Sequence, residues 1–263
     1  MPKLICRLFL MSVVCAGATF GQSVAGTFAQ IAFGGSWQTT FTLINVSTDV
    51  AGVTLNFFGD NGAPLNAPVT VPGSPNISST NSYTFTIPAS SSQTIVLPST
   101  DPTTTTQGWA SMTVSSGRVQ GQGSFRALLP SGSTFEAVVP LTTSGSTVCI
   151  IPFPPTGTPV ILIPFDNTGG YNSSIAIANI SSSAAQSIPI EFDDETNHQL
   201  KTDVITLQAN GHTAFTLATK YPQDLAGKRG IIRLTPQFTS SVSVLGLLSN
   251  PSNAITTIIP IIP

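Results

Sequence analysis

Charge is what this chain lacks most. Of its 263 residues only 8% are Asp, Glu, Lys or Arg, against about 25% in an ordinary soluble protein. The formal net charge is −2, with no basic run and no acidic tail. The electrostatic footprint that nucleic-acid binding requires is therefore missing. Histidine is rarer still, confined to His198 and His212. A serine hydrolase needs a histidine, an acid and a strained elbow such as Gly-x-Ser-x-Gly, and no such elbow occurs. The sparse histidines and cysteines also fail the ligand count and spacing of a zinc site. No catalytic residue is assigned, and the chain reads as a non-enzyme.

Cysteine scarcity becomes sharper once the N-terminus is considered. Lys3 and Arg7 precede the apolar stretch "LFLMSVVCAGA", which ends in small residues, with Gly21 beyond it. This is the pattern of a secretory signal peptide over residues 1–21, its apolar run too short for a membrane span. Its removal takes away two positive charges, bringing the net from −2 to about −4. Cys6 and Cys15 leave with it, so Cys149 stands alone and no internal disulfide forms. Cys149 lies in "STVCIIPFPP" as a small buried hydrophobe, or else as a thiol that pairs two copies. The expected mature protein is secreted (extracellular, periplasmic or cell-surface), has no membrane span, and relies on its core alone.

What the chain has instead is apolar content and repetition. Hydrophobic residues are 41%, too many for a disordered chain. "GSWQTTFTLINVS" (35–47) aligns without gaps on "GGYNSSIAIANIS" (169–181), placing Trp37 on Tyr171 and Asn45 on Asn179. "VTLNFFGD" (53–60) follows on "IPIEFDDE" (188–195), and "IPASSSQTIVL" (87–97) on "LQANGHTAFTL" (207–217). "LLPSGSTFEAVVPL" (128–141) then matches "LSNPSNAITTIIPI" (248–261). Four blocks in one order indicate a tandem duplication. His212 falls on Ser92, in a turn where either polar residue serves.

The period within each copy is two. "TTFTLINV" and "SSIAIANI" alternate, and Thr, Val, Ile and Phe dominate such runs, as pleated strands prefer. The 22 glycines and 21 prolines punctuate too often for ordinary helices; only "KYPQDLAGKRG" (220–230) has room for a helical turn. Asp60-Asn61-Gly62 and Asn210-Gly211 read as hairpin turns. The fold class is all-β: two tandem immunoglobulin-like β-sandwich domains from an internal duplication, after the signal peptide. The expected boundaries are repeat 1 at 22–145, a Pro-rich linker at 146–158 and repeat 2 at 159–263. The apolar end "AITTIIPIIP" either closes the second sandwich or pairs with a neighbour's edge in self-association, and the repeat favours closure.

"PFDNTGGYNSSIAIAN", "GKRGIIRLT" and "SVLGLLSNPSNAITTIIP", with "GSFRALLPSG" and "FEAVVPL" in the first copy, resemble a group of secreted bacterial proteins with paired immunoglobulin-like repeats. The resemblance spans nearly all of the mature chain. It implies an extracellular or surface-attached β module and carries over no site residue.

Two candidate sites remain. Trp37 and Tyr171, at equivalent places before strands, form a candidate aromatic platform for glycan; the bland alternative is that both rings cap the core. Asp193, Asp194 and Glu195 are the one concentration of acids and the candidate calcium site, set against solvated carboxylates at a strand-turn tip, where Asp60 occupies the matching place. No other cofactor is expected. Lys228, Arg229 and Arg233 read as a solvated strand edge. The functional expectation is a non-enzymatic structural or adhesive protein contacting extracellular protein or glycan, with a carbohydrate-binding module as the alternative.

Overall fold

A computed structural model describes residues 24–128, 132, 134–142, 160–237, 241–252 and 254–263. The expected leader, the linker 146–158 and Cys149 lie outside them. The protein is all-β, with one helical turn among the described residues. No described helix is long and apolar enough to cross a membrane.

The first half runs β1 (Val24–Phe33), β2 (Trp37–Asn45), β3 (Ala51–Gly59), β4 (Ala67–Val69), β5 (Ser78–Thr80), β6 (Ser82–Ile87), β7 (Ser92–Leu97), β8 (Thr106–Ser116), β9 (Val119–Leu128) and β10 (Thr134–Pro140). The second runs β11 (Ile161–Asp166), β12 (Asn172–Asn179), β13 (Gln186–Asp194), β14 (Gln199–Leu207), β15 (His212–Thr216), α1 (Leu217–Lys220), β16 (Arg229–Leu234), β17 (Val242–Ser249) and β18 (Ile255–Ile258). One sheet of the first half has the order β1-β8-β3-β6 and the facing sheet β10-β9-β2-β7. The second half repeats both, as β11-β16-β13-β14 and β18-β17-β12-β15.

The pairings are nested. In the first half β1 pairs β8, β2 pairs β7, β3 pairs β6 and β4 pairs β5, all antiparallel. This is one long hairpin rolled up on itself, the winding of a jelly roll. It differs from the immunoglobulin order, where the first two strands share a sheet; here β1 and β2 lie in opposite sheets because β1 takes the open edge of β8. The second half nests β11–β16, β12–β15 and β13–β14 and lacks the innermost pair. Reciprocal bonds between Thr70 and Val96 (both 2.9 Å) attach the small β4–β5 ribbon to the edge of β7.

Of the two expected hairpins, the first closes only a short one before the chain crosses, and the second is a crossing between sheets. Gly62 N–H donates to Gly59 O, Gly59 N–H to Ala63 O and Leu65 N–H to Phe57 O, with an antiparallel bridge between Phe58 and Pro64; beyond it the chain passes to the ribbon on the edge of the opposite sheet. The turn at Asn210-Gly211 likewise carries the chain from β14 in one sheet to β15 in the other. The helical turn lies at Leu217–Lys220, ahead of the stretch expected to hold it. Tyr221 N–H closes it on Leu217 O, and Pro222, which has no N–H, ends it.

A buried asparagine anchors the same crossing in each half. Asn45 Nδ2 donates to the carbonyls of Asp49, Ile87 and Pro88, and its Oδ1 accepts from Ser47 N–H. Asn179 Nδ2 donates to Ala184, Leu207 and Gln208, and its Oδ1 accepts from Ser181 N–H. Both side chains are fully buried, where an unpaired carbonyl would be costly. Ser90 (φ 52°) and Asn210 (φ 55°), aligned in the repeat, both take the left-handed conformation.

The chain end closes its own half. β18 pairs with β17, and Leu162 and Ile261 then exchange hydrogen bonds of 2.8 Å, strapping the end to β11. Thr27 and Thr142 make the matching strap in the first half.

Alternation fails where the halves meet. Ile175 and Ile177 of β12 enter the second core, while Ala176 between them joins the first. Val242 and Val244 of β17 likewise point one way, Leu245 and Leu247 the other. β12 is buried on both faces because its outer face packs on the first half, and small residues at Ala176 and Ala178 let the sheets approach.

Candidate functional site at the junction of the halves

The junction is held by polar bonds as well as apolar contact. His212 is buried, and its Nδ1 lies 2.7 Å from Asp60 Oδ1. The carboxylate only accepts, so Nδ1 carries the proton and donates. His212 N–H also donates to Asp60 O (3.0 Å). Gln107 Nε2 donates to Asp60 Oδ2 (2.9 Å). Beside them Trp109, stacked on Phe58 at 4.8 Å, donates its Nε1–H to Asn210 O at 2.7 Å. Thr27 Oγ1 donates to Ser243 Oγ, and Thr257 Oγ1 to Val138 O, at the two flanks.

Burial pushes the Asp60 carboxyl up, but hydrogen bonds from His212 and Gln107 and the charge on His212 outweigh it and hold it below the ordinary range. His212 is therefore more than a polar turn residue, and Asp60 more than a solvated tip: together they latch one half to the other. A hydrolytic relay would need Nε2 facing a nucleophile. Here Nε2 is buried without a hydrogen-bond partner among the described residues.

Next to the latch a groove of about 240 Å³ opens between the halves. Trp37 and Phe125 line one wall, their rings 5.5 Å apart and tilted. Phe215 lines the facing wall, with Ser174 and Thr216, whose hydroxyls lie 2.9 Å apart. Gln30, Thr105 and Gln107 complete the polar lining, and among the described residues no ionisable side chain contributes. Lys220 sits against Phe215, its Nζ 4.0 Å from the ring centroid, without lining the groove. A larger depression of about 400 Å³ lies over β13 and β14. Its acids are already occupied: Glu191 pairs with Arg233, and Asp203 accepts from the Tyr221 hydroxyl at 2.7 Å.

The two aromatic candidates have different surroundings. Trp37 is half-buried over Phe125 and lines the groove, combining a capping role with a ligand-facing one. Tyr171 is 39% exposed at its own tip and does not line the groove. The three acids also diverge. Asp193 is buried and paired with Arg233 at 3.2 Å. Asp194 Oδ1 accepts from Thr196 N–H, Thr196 hydroxyl and His198 N–H within its own turn, and Glu195 is exposed. Among the described residues no three metal-ligating side chains come together.

The basic stretch is not an edge. β16 lies between β11 and β13. Arg233 pairs with Asp193 and Glu191, and Arg229 reaches Asp166.

No protein-family profile matches the chain, and no curated protein is significantly similar to it.

The sequence pointed to Trp37 but missed Gln30, Gln107 and the Asp60–His212 latch. The available signal was asymmetry between the aligned halves. Trp109 is buried while its counterpart Ile231 is 40% exposed, and His212 is buried where its counterpart Ser92 is exposed.

Proposed function

We propose that the chain acts outside the cell as a non-enzymatic structural or adhesive protein, delivered by the leader at residues 1–21. Its two halves are copies of one β-sandwich made by tandem duplication. The equal sheet orders, the paired asparagine anchors and the matching terminal straps support that origin.

One observation carries the functional reading. Buried His212 and half-exposed Asp60 are spent on joining the halves, and among the described residues no ionisable side chain lines the groove beside them. A site without a titratable group has no side-chain acid, base or charged nucleophile to offer. It has ring faces, amides and hydroxyls, which suit holding a partner. The expected partner is an extracellular protein or a glycan.

Solid-phase adhesion tests this. The purified chain is applied to immobilised envelope and matrix preparations, and saturable retention at micromolar protein is expected. Absence of retention on every surface, or catalytic turnover of a hydrolase substrate panel, overturns the reading.

A further inference from the structure

We propose that the groove between the halves is a binding site for one unit of a neutral saccharide, with Gln30, Trp37, Gln107 and Thr216 as its recognition residues. This rests on the binding role above and names the ligand class and the site.

Gln30 supplies the pointed observation. Its side chain is buried, 7% exposed, and lines the groove. Nε2 donates to Ile31 O at 3.2 Å, which fixes the orientation of the amide, since the reverse placement would set oxygen against oxygen. Oε1 is then left without a hydrogen-bond partner among the described residues. A buried unpaired acceptor costs about 1–3 kcal/mol. Oε1 itself exposes almost no surface, so a ligand hydroxyl or N–H removes that cost by drawing the amide toward the groove that the side chain lines.

The remaining chemistry narrows the class. Among the described residues no charged side chain lines the groove, so an anionic or cationic ligand would lose hydration without gaining an ion pair there. Trp37 and Phe215 line the groove from the two halves, and Trp37 supplies the ring against which the C–H face of a sugar ring stacks. The Ser174–Thr216 hydroxyl pair keeps a hydrogen to donate after its internal bond. Gln107 uses one N–H on Asp60 and retains a carbonyl and a second N–H. At about 240 Å³ the space falls below the roughly 300–1,000 Å³ of pockets for drug-sized ligands. It suits a single ring with its chain running out along the junction. A ring with apolar faces and a rim of hydroxyls fits all of these together. The site also needs both halves, because Trp37 and Gln30 come from one and Phe215 and Thr216 from the other.

The experiment is a calorimetric and fluorescence titration of the purified chain with neutral trisaccharides built on glucose, mannose, galactose and N-acetylglucosamine, and with a uronate trisaccharide as the charged probe. At least one neutral probe binds with a sub-millimolar Kd and changes tryptophan emission; the uronate binds at least tenfold more weakly. Trp37→Ala and Gln30→Met each weaken the neutral probe at least tenfold, while Tyr171→Ala leaves it unchanged. Gln30→Met keeps the volume and removes the unpaired acceptor, so its melting temperature is held or raised, which separates lost binding from lost folding. The proposal is overturned if no neutral probe binds, if the uronate binds as well, or if binding ignores Trp37 and Gln30. Adhesion that persists in the Trp37→Ala, Gln30→Met double variant overturns the groove and leaves the adhesive role standing. Saccharide binding without adhesion does the reverse.

Discussion

Replacing Asp60 with alanine isolates the latch between the halves. The substitution removes the acceptor of the His212 Nδ1–H, and the imidazole is fully buried while the carboxylate is half-exposed. A buried donor left without a partner costs about 1–3 kcal/mol. Because Asp60 is half-exposed, water reaches part of the vacated space, and the lower portion of that range applies, about 1–2 kcal/mol. For a chain of this size that is a fall in melting temperature on the order of 2–8 °C. Trp109 reports the local event, since its indole N–H is bonded to Asn210 across the same contact, and its emission shifts to the red. The acid limb carries a second signature. Asp60 is held below its ordinary 3.8 in the folded state. Its contribution is therefore complete above the unfolded value of about 3.9 and is lost as pH falls through the lower folded value. The Asp60→Ala variant loses stability less steeply below about pH 4 than the parent. Urea unfolding at pH 7 and pH 3 checks both statements. A cost under about 0.5 kcal/mol at pH 7, or an unchanged acid slope, would refute the latch.

Gly62 and Gly73 both have positive φ, at 79° and 84°, but a Cβ on Gly62 collides with the Ala209 carbonyl of the other half, whereas a Cβ on Gly73 meets nothing. Gly62→Ala is expected to lower the melting temperature well beyond Gly73→Ala, which bears backbone strain alone of about 1 kcal/mol; equal effects would mean the halves do not meet there. Asn45→Ala and Asn179→Ala each strand buried carbonyls and are expected to cost about 3 kcal/mol apiece by denaturant titration, with a loss under 1 kcal/mol in either contradicting the shared anchor. Truncation after Ser252 removes β18 and the Ile261–Leu162 strap; the expected outcome is a destabilised monomer, and an intact fold that merely changes oligomeric state would speak for strand exchange instead.

The repeat made much of the fold legible, and its limits were physical. Where both halves need the same local chemistry, they carry the same residue, as at Asn45 and Asn179. Trp37 was visible for a similar reason, as an aromatic at a repeated glycine-flanked position. Strand nesting was not visible, because pairing partners such as β1 and β8 are remote, and a turn such as Asp60–Gly62 reads the same whether it closes a hairpin or crosses between sheets. The latch was hidden by distance as well, its partners lying 152 residues apart. Yet it left a trace. Ala176 and Ala178 are buried, whereas their counterparts Thr42 and Ile44 are exposed. Between two halves of like sheet order, departures from the aligned sequence mark surfaces that only one half buries.

The nested pairing also bears on the order in which the chain acquires its structure. Residues 60–81, with their own small ribbon, separate β3 from β6, whereas only 195–198 separate β13 from β14. The second half thus has a short local closure from which the outer pairs zip, while the first must close a long excursion before its inner pair forms. Refolding of the whole chain is expected to proceed from the C-terminal half, with hydrogen-exchange protection of β13 and β14 preceding that of β3 and β6. During synthesis the part of the first half that Ala176 of β12 and Leu245 of β17 cover stays bare until those strands have been made.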